Sequence, residues 1–154
     1  MFREMRRKDK QLSAEETFDV LKRGETGYLS TICENGYPYV VPLNFVYYND
    51  SIYIHSAKEG QKVDNMKNND KVSFSVSCDI ENLPDKFDTN YKSVILFGKA
   101  EEVFDNEKDE ALLEIIKKYS QDYVEKGEKY IEKAKGATKV FKINIEHMTG
   151  KAQI

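Results

Sequence analysis

Polar and apolar positions along the chain follow two periods. Near the start, Phe18, Val20 and Leu21 supply one apolar side of a short helix. Its entry, Ser13-Ala14-Glu15-Glu16, is a capping box in which the Ser13 hydroxyl accepts from the Glu16 amide while the Glu16 carboxylate reaches back. Gly24 is placed to end the helix in a left-handed turn. Beyond it the period is two. Gly27 to Cys33 and Pro38 to Tyr48 are rich in β-branched and aromatic residues and flank Glu34-Asn35-Gly36, a tight-turn signal, so they predict an antiparallel hairpin. Asn49-Asp50 turns the chain into a third strand, Ser51 to His55, with Ile52 and Ile54 on one face and Tyr53 and His55 on the other. Lys71 to Cys78 sets Val72, Phe74, Val76 and Cys78 against Ser73, Ser75 and Ser77, the mark of a half-buried strand. After a polar connection, Asp79 to Asn90, the stretches Tyr91 to Phe104 and Thr138 to Ile145 complete a set of six strands. Between these two, Leu112, Ile115, Ile116 and Tyr119 follow the helical period, and Gln121 to Lys135 is a weaker helix because Gly127 interrupts it.

Short strands joined mainly by hairpins, with helices at the start and near the end, predict a mainly β fold. The expected form is a six-stranded antiparallel barrel, closed or almost so, with a helical segment at about 105–136 packed outside. One domain, 1–154, accounts for the chain. Side chains fill the interior of so small a barrel, so a ligand belongs on its outside, in a groove or between subunits. The composition, 40% hydrophobic and 33% charged, is that of a globular protein, and a net charge of −3 argues against a general nucleic-acid binder. The best apolar run, Val94 to Phe97, is strand-sized and cannot span a membrane. The charged start, Met1 to Lys8, lacks the apolar stretch of a signal peptide, which leads us to expect a cytoplasmic protein. Cys33 and Cys78 show no C-x-x-C spacing and read as small apolar residues in a reducing compartment, with no metal site.

Two segments carry candidate chemistry. His55-Ser56-Ala57-Lys58-Glu59-Gly60-Gln61-Lys62 lies where the third strand gives way to a short helix with Val63 and Met66 inward. Backbone N–H groups at such a junction, a hydroxyl on Ser56 and the cations of Lys58 and Lys62 would suit a phosphate, although solvated turn lysines look the same in sequence. Pro42, in the middle of Pro38 to Phe45, cannot donate to a ladder and marks an edge, a bulge or a break. There Asn44, beside Val41 and Leu43, would suit the polar edge of a flat heteroaromatic ring, and a bulge that merely shapes the barrel explains the same residues. Of the two histidines, His55 borders the phosphate-type loop and is a candidate proton donor, whereas His147 reads as structural.

The order of these motifs resembles the pyridoxamine 5′-phosphate oxidase-like flavin-binding split barrels, and within them the nitroimidazole-resistance branch. The likeness rests on Met5-Arg6-Arg7-Lys8-Asp9, Gly27 to Thr31, Tyr39 to Asn44, His55 to Lys62, Tyr91 to Ile95 with Phe97 to Glu101, and Met148 to Lys151. The resemblance implies a homodimer with FMN at the subunit interface. It implies that Ser56, Ala57, Lys58 and Lys62 hold the phosphate, that the isoalloxazine lies along Val41, Pro42, Leu43 and Asn44, and that Ser93 and Val94 border the site. His55 matches a histidine beside the flavin with a proposed role toward substrate. Lys92 stands where many relatives have arginine, and a lysine cannot make the planar two-pronged grip on a phosphate. The function implied is an FMN-dependent oxidoreductase passing electrons to a small aromatic or nitroaromatic acceptor. With no G-x-G-x-x-G after a strand, NAD(P)H would bind only transiently as donor. The alternative is a protein that stores or senses flavin or haem without turnover.

Overall fold

The computed structural model describes residues 1–154. Ser13 caps α1 (Ala14–Arg23) in both directions: its hydroxyl accepts from the Glu16 amide at 3.2 Å, and its own amide donates to the Glu16 carboxylate at 2.8 Å. Gly24 ends the helix, but its φ of −60° is not left-handed. Its reason is a close approach, since a Cβ there would sit 2.1 Å from Val76 Cγ1.

The strands are β1 (Gly27–Ile32), β2 (Pro38–Leu43), β3 (Val46–Tyr48), β4 (Ser51–Ala57), β5 (Lys71–Leu83), β6 (Asp88–Val103) and β7 (Thr138–Gln153). The helices α2 (Gln61–Asn68), α3 (Asp105–Tyr119) and α4 (Val124–Ala134) complete the chain. There are seven strands, not six, because the expected strand Pro38 to Tyr48 breaks at Asn44-Phe45. All seven form one antiparallel sheet in the order β2-β1-β5-β6-β7-β4-β3. The two edge strands are therefore consecutive in the chain, joined only by Asn44 and Phe45, so the sheet is bent round until its edges meet at that corner. Pro42 lies in the edge strand β2, opposite Tyr28, as a missing donor requires.

The stretch expected to be a polar connection is instead a two-stranded ribbon. A bulge after Cys78, with Asp79 at φ 54°, re-aims β5, and Glu81 to Leu83 pair with Asp88 to Asn90. At its tip Phe87 is 97% exposed. β7 likewise runs past Ile145, since a register shift opposite Phe97 and Gly98 leaves Glu146 unpaired and lets pairing resume.

Inward residues of the strands, among them Leu29, Ile54, Phe74 and Leu96, fill the barrel together with Phe45 from the corner, and α1 and α2 add Val20, Leu21, Val63 and Met66. A second core lies outside it. There Tyr53, Val103 and Val140 on the outer face are covered by Leu112, Ile115 and Ile131 of the α3–α4 hairpin. Gly127 does not weaken α4: it is buried where α4 meets α3, and a Cβ would lie 2.4 Å from Ile116 Cγ2.

Candidate functional site

Alternation along β4 sends Ile52, Ile54 and Ser56 into the barrel and Tyr53, His55 and Ala57 outward. Tyr53 is covered by the helical hairpin, its hydroxyl donating to the Glu107 carboxylate at 2.9 Å. His55, two residues on, reaches the exposed surface. The chain then turns at Gly60, whose φ of 147° and ψ of 167° only glycine adopts readily. Because Gly60 has no side chain, nothing caps α2, and its first-turn amides remain available beyond the Asp64 N–H, which bonds the Gly60 carbonyl at 3.1 Å. Lys58 and Lys62 flank this end, and neither takes part in a salt bridge. Partial desolvation on the side turned to the protein, and then the positive charge of Lys62, hold the His55 imidazole below its ordinary pKa. It is therefore neutral at pH 7, in a field that an incoming anion would cancel. The Ser56 side chain is buried and its hydroxyl donates to the Ala57 carbonyl at 2.7 Å, so it serves the turn.

α2 is held to the barrel by a buried amide that the sequence pattern passes over. Asn65, 1% exposed, donates to the Thr31 hydroxyl at 2.9 Å and accepts from Gln61 Nε2 at 2.9 Å. Its signal was a polar residue within the inward set Val63, Asn65 and Met66.

Val41 and Leu43 point inward and pack against the barrel core, while Pro42 and Asn44 are exposed. In the β3–β4 hairpin Val46 lies opposite Tyr53, the last pair before the corner, so Asn44 and His55 each lie two residues beyond it along their own segments. The corner itself is pinned. Tyr119, the last residue of α3, accepts from the Phe45 N–H at 3.0 Å and donates its single proton to the Glu25 carbonyl at 2.6 Å, with the Phe45 carbonyl a competing acceptor at 3.0 Å. The Lys118 ammonium sits 3.7 Å from the centre of the Phe45 ring, buried and without a hydrogen-bond partner, and burial pushes its pKa down to about 8.

On β6, Ser93 faces outward, opposite Ser77 and Lys151, whereas Val94 is fully buried and offers a ligand only its backbone. Lys92 points to the α1 side, 3.7 Å from Asp79, which also takes a two-pronged contact from Arg23 at 3.0 and 3.1 Å. It does not share the face of Ser93. β1 and β5 separate β2 from β6, about 14 Å at ordinary strand spacing. The corner and the β4–α2 turn thus lie at the two ends of segments that pair through β3 and β4, while Ser93 stands apart from β2 within one chain. The larger cavities lie elsewhere: about 510 Å³ between α3 and α4, about 450 Å³ between α2 and the β1–β2 turn, and about 620 Å³ along the ribbon beside Lys10 and Gln153. The outer face of β2, β1, β5 and β6 carries no helix, and Tyr28, Val40, Ile95 and Phe97 are exposed there among serines, although the N-terminal Phe2 stacks on Phe97 at 5.2 Å. No helix is long and apolar enough to cross a membrane.

A curled antiparallel sheet closed at a two-residue corner, with outer helices on one half, defines the split-barrel class to which flavin-binding proteins of this kind belong. The chain belongs to the pyridoxamine 5′-phosphate oxidase family, whose model matches residues 13–152. It is similar to a crystal structure of a candidate 5-nitroimidazole antibiotic resistance protein from Bacteroides thetaiotaomicron, with 26% identity, 92% of this chain and 86% of that chain covered, and a TM-score of 0.74. It is also similar to an FAD-binding protein from Mesorhizobium loti, with 28% identity, 94% and 97% coverage, and a TM-score of 0.65. An uncharacterized protein of Rhizobium meliloti is 31% identical over 94 residues, 60% of this chain. The match spans 56% of that curated relative's length.

Proposed function

We propose that this protein is a homodimeric, cytoplasmic FMN-dependent oxidoreductase that passes electrons from reduced flavin to a small aromatic or nitroaromatic acceptor. The observation that carries the reading is the uncapped start of α2, flanked by Lys58 and Lys62 without carboxylate partners and by a neutral His55. Such a junction is built for a phosphate: the amides and the helix dipole take the charge, and the lysines add charge-assisted contacts. The flavin supplies the redox chemistry when bound. The protein's part is to seat the ring along the corner, with the exposed edge of Asn44 for its polar rim and Pro42 beside it. His55 would hold a proton on a ring nitrogen beside that edge. The outer face without a helix would be buried against a second copy, which would also bring Ser93 to a site that one chain leaves dispersed. NAD(P)H fits as a transient donor. The likeness to a candidate nitroimidazole-resistance protein and to an FAD-binding protein supports the acceptor class and the flavin.

The test begins with protein purified without added cofactor. Its visible spectrum is recorded and the small molecule released on denaturation identified, followed by titration with FMN and FAD. Bound FMN that bleaches with NADH or NADPH, and recolours faster with a nitroaromatic, is the expected result. Bound flavin without turnover would leave a storage protein, and a haem Soret band would replace the flavin. Lys62→Ala should weaken FMN binding by roughly 1.5–3 kcal/mol, and unchanged affinity would move the phosphate elsewhere.

A further inference from the structure

The residue that holds the barrel's closing corner comes from outside the barrel. Phe45 is fully buried and sits edge-on to Phe74 at 5.0 Å, a contact made possible by Gly27, where a Cβ would lie 2.1 Å from the Phe74 ring. Its ring is therefore fixed by the core. Its backbone is fixed by something else: as the chain leaves β2 for β3, the Phe45 N–H has no ladder partner among the strands and donates to the Tyr119 hydroxyl, which lies 3.0 Å from the Phe45 carbonyl as well. That hydroxyl also reaches the Glu25 carbonyl, in the segment that leads into β1. One side-chain oxygen thus ties together the approach to β1 and the turn from β2 to β3.

We propose that Tyr119 is a positioning residue: the end of α3 acts as a strut that sets the direction of Asn44 and of the Val41–Asn44 strip, and through it the affinity for the flavin ring. This rests on the reading of that strip as the ring's seat. The α3–α4 hairpin then has a role in ligand binding through Tyr119, the last residue of α3.

The experiment compares Tyr119→Phe, which removes only the hydroxyl, with Ile131→Val, which loosens the same hairpin far from the corner. Two quantities are read: the FMN dissociation constant and hydrogen exchange of the amides at 41–45, with thermal midpoints to match the two variants for stability. Tyr119→Phe is expected to raise the FMN dissociation constant roughly three- to tenfold, the worth of one ordinary hydrogen bond, and to speed exchange at Asn44 and Phe45. Ile131→Val should do neither. Unchanged exchange at 44–45 in Tyr119→Phe overturns the strut whatever flavin does. Faster exchange with unaltered FMN affinity overturns its link to the ring. If the unmodified protein binds no FMN, the functional reading fails, while the exchange measurement still decides whether Tyr119 holds the corner.

Discussion

The outer surface of the sheet is two surfaces. Over β3, β4 and the first half of β7 it is closed by α3 and α4, and Tyr53 is 1% exposed there. Over β2, β1, β5 and β6 it is open, with Tyr28 46% and Ile95 50% exposed among Ser30, Ser73, Ser75 and Ser77. Both halves alternate with period two and both place aromatic rings outward, so the strand pattern alone does not separate them. The difference is one of cover: an amphipathic helical hairpin packs over one half, and no helix of the chain packs over the other. A face that carries several exposed apolar side chains and, apart from Phe2 over Phe97, no intramolecular cover is the kind of surface on which association is built, and the serines between them let another surface approach closely.

The sharpest test of this contrast is a pair of matched truncations. Tyr53→Ala should lower the unfolding free energy by roughly 3–5 kcal/mol in denaturant titration, whereas Tyr28→Ala should stay within about 0.5 kcal/mol for the isolated chain. In sedimentation, Tyr28→Ala should instead weaken self-association, and a large folding defect from it would erase the distinction between the halves.

The covered half also carries a charge it does not neutralise. Lys118 in the folded chain titrates at about 8, against 10.5 for a lysine in water. Between these values the unfolded chain retains a proton that the folded one has released, so stability should rise with pH across this window and be flat below it. The gain is on the order of 2 kcal/mol once solvent screening at a partly open site is allowed for. Denaturant midpoints at pH 7.5 and pH 10 should show it as the difference between the unmodified protein and Lys118→Met, and identical profiles would place the ammonium in water. The smallest expected effect is at the helix crossing. Gly127→Ala gains about 1 kcal/mol of helix propensity but drives a methyl into Ile116, a net loss of about 1 kcal/mol, visible as a lower thermal midpoint.

Much of this architecture was legible from the period of the strands and from local turn chemistry. The capping box of α1, the left-handed Asn49 and Asp50, and the inward sets of β4 and β5 are all set by residues near one another in the chain. The features that escaped depend on distant partners. Asn44 and Phe45 continue a strand pattern, and nothing beside them shows that β2 joins β1 while β3 joins β4. The ribbon of Glu81 to Leu83 and Asp88 to Asn90 has Leu83 as its one apolar residue and so carries no alternation. Gly24 and Gly127 looked like helix punctuation, yet each is small because another element, Val76 or Ile116, comes within touching distance. The candidate site divides in the same way. His55, Lys58 and Lys62 were visible as a strand-to-helix junction, whereas Tyr119, at the end of a helix read only for its apolar spacing, reveals its role through contacts with Phe45 and Glu25.

The corner at Asn44-Phe45 also bears on how the chain reaches this state. Hairpins such as β1–β2 and β3–β4 can form from neighbours, but β4 meets β7 by pairing Ser51 with Asn144, across most of the molecule. The entropy of closing so long a loop precedes any reward from the contacts it brings. Refolding therefore belongs at the slow end for small domains, roughly milliseconds to seconds, with the ring sealed late and the burial of Phe45 as its natural clock.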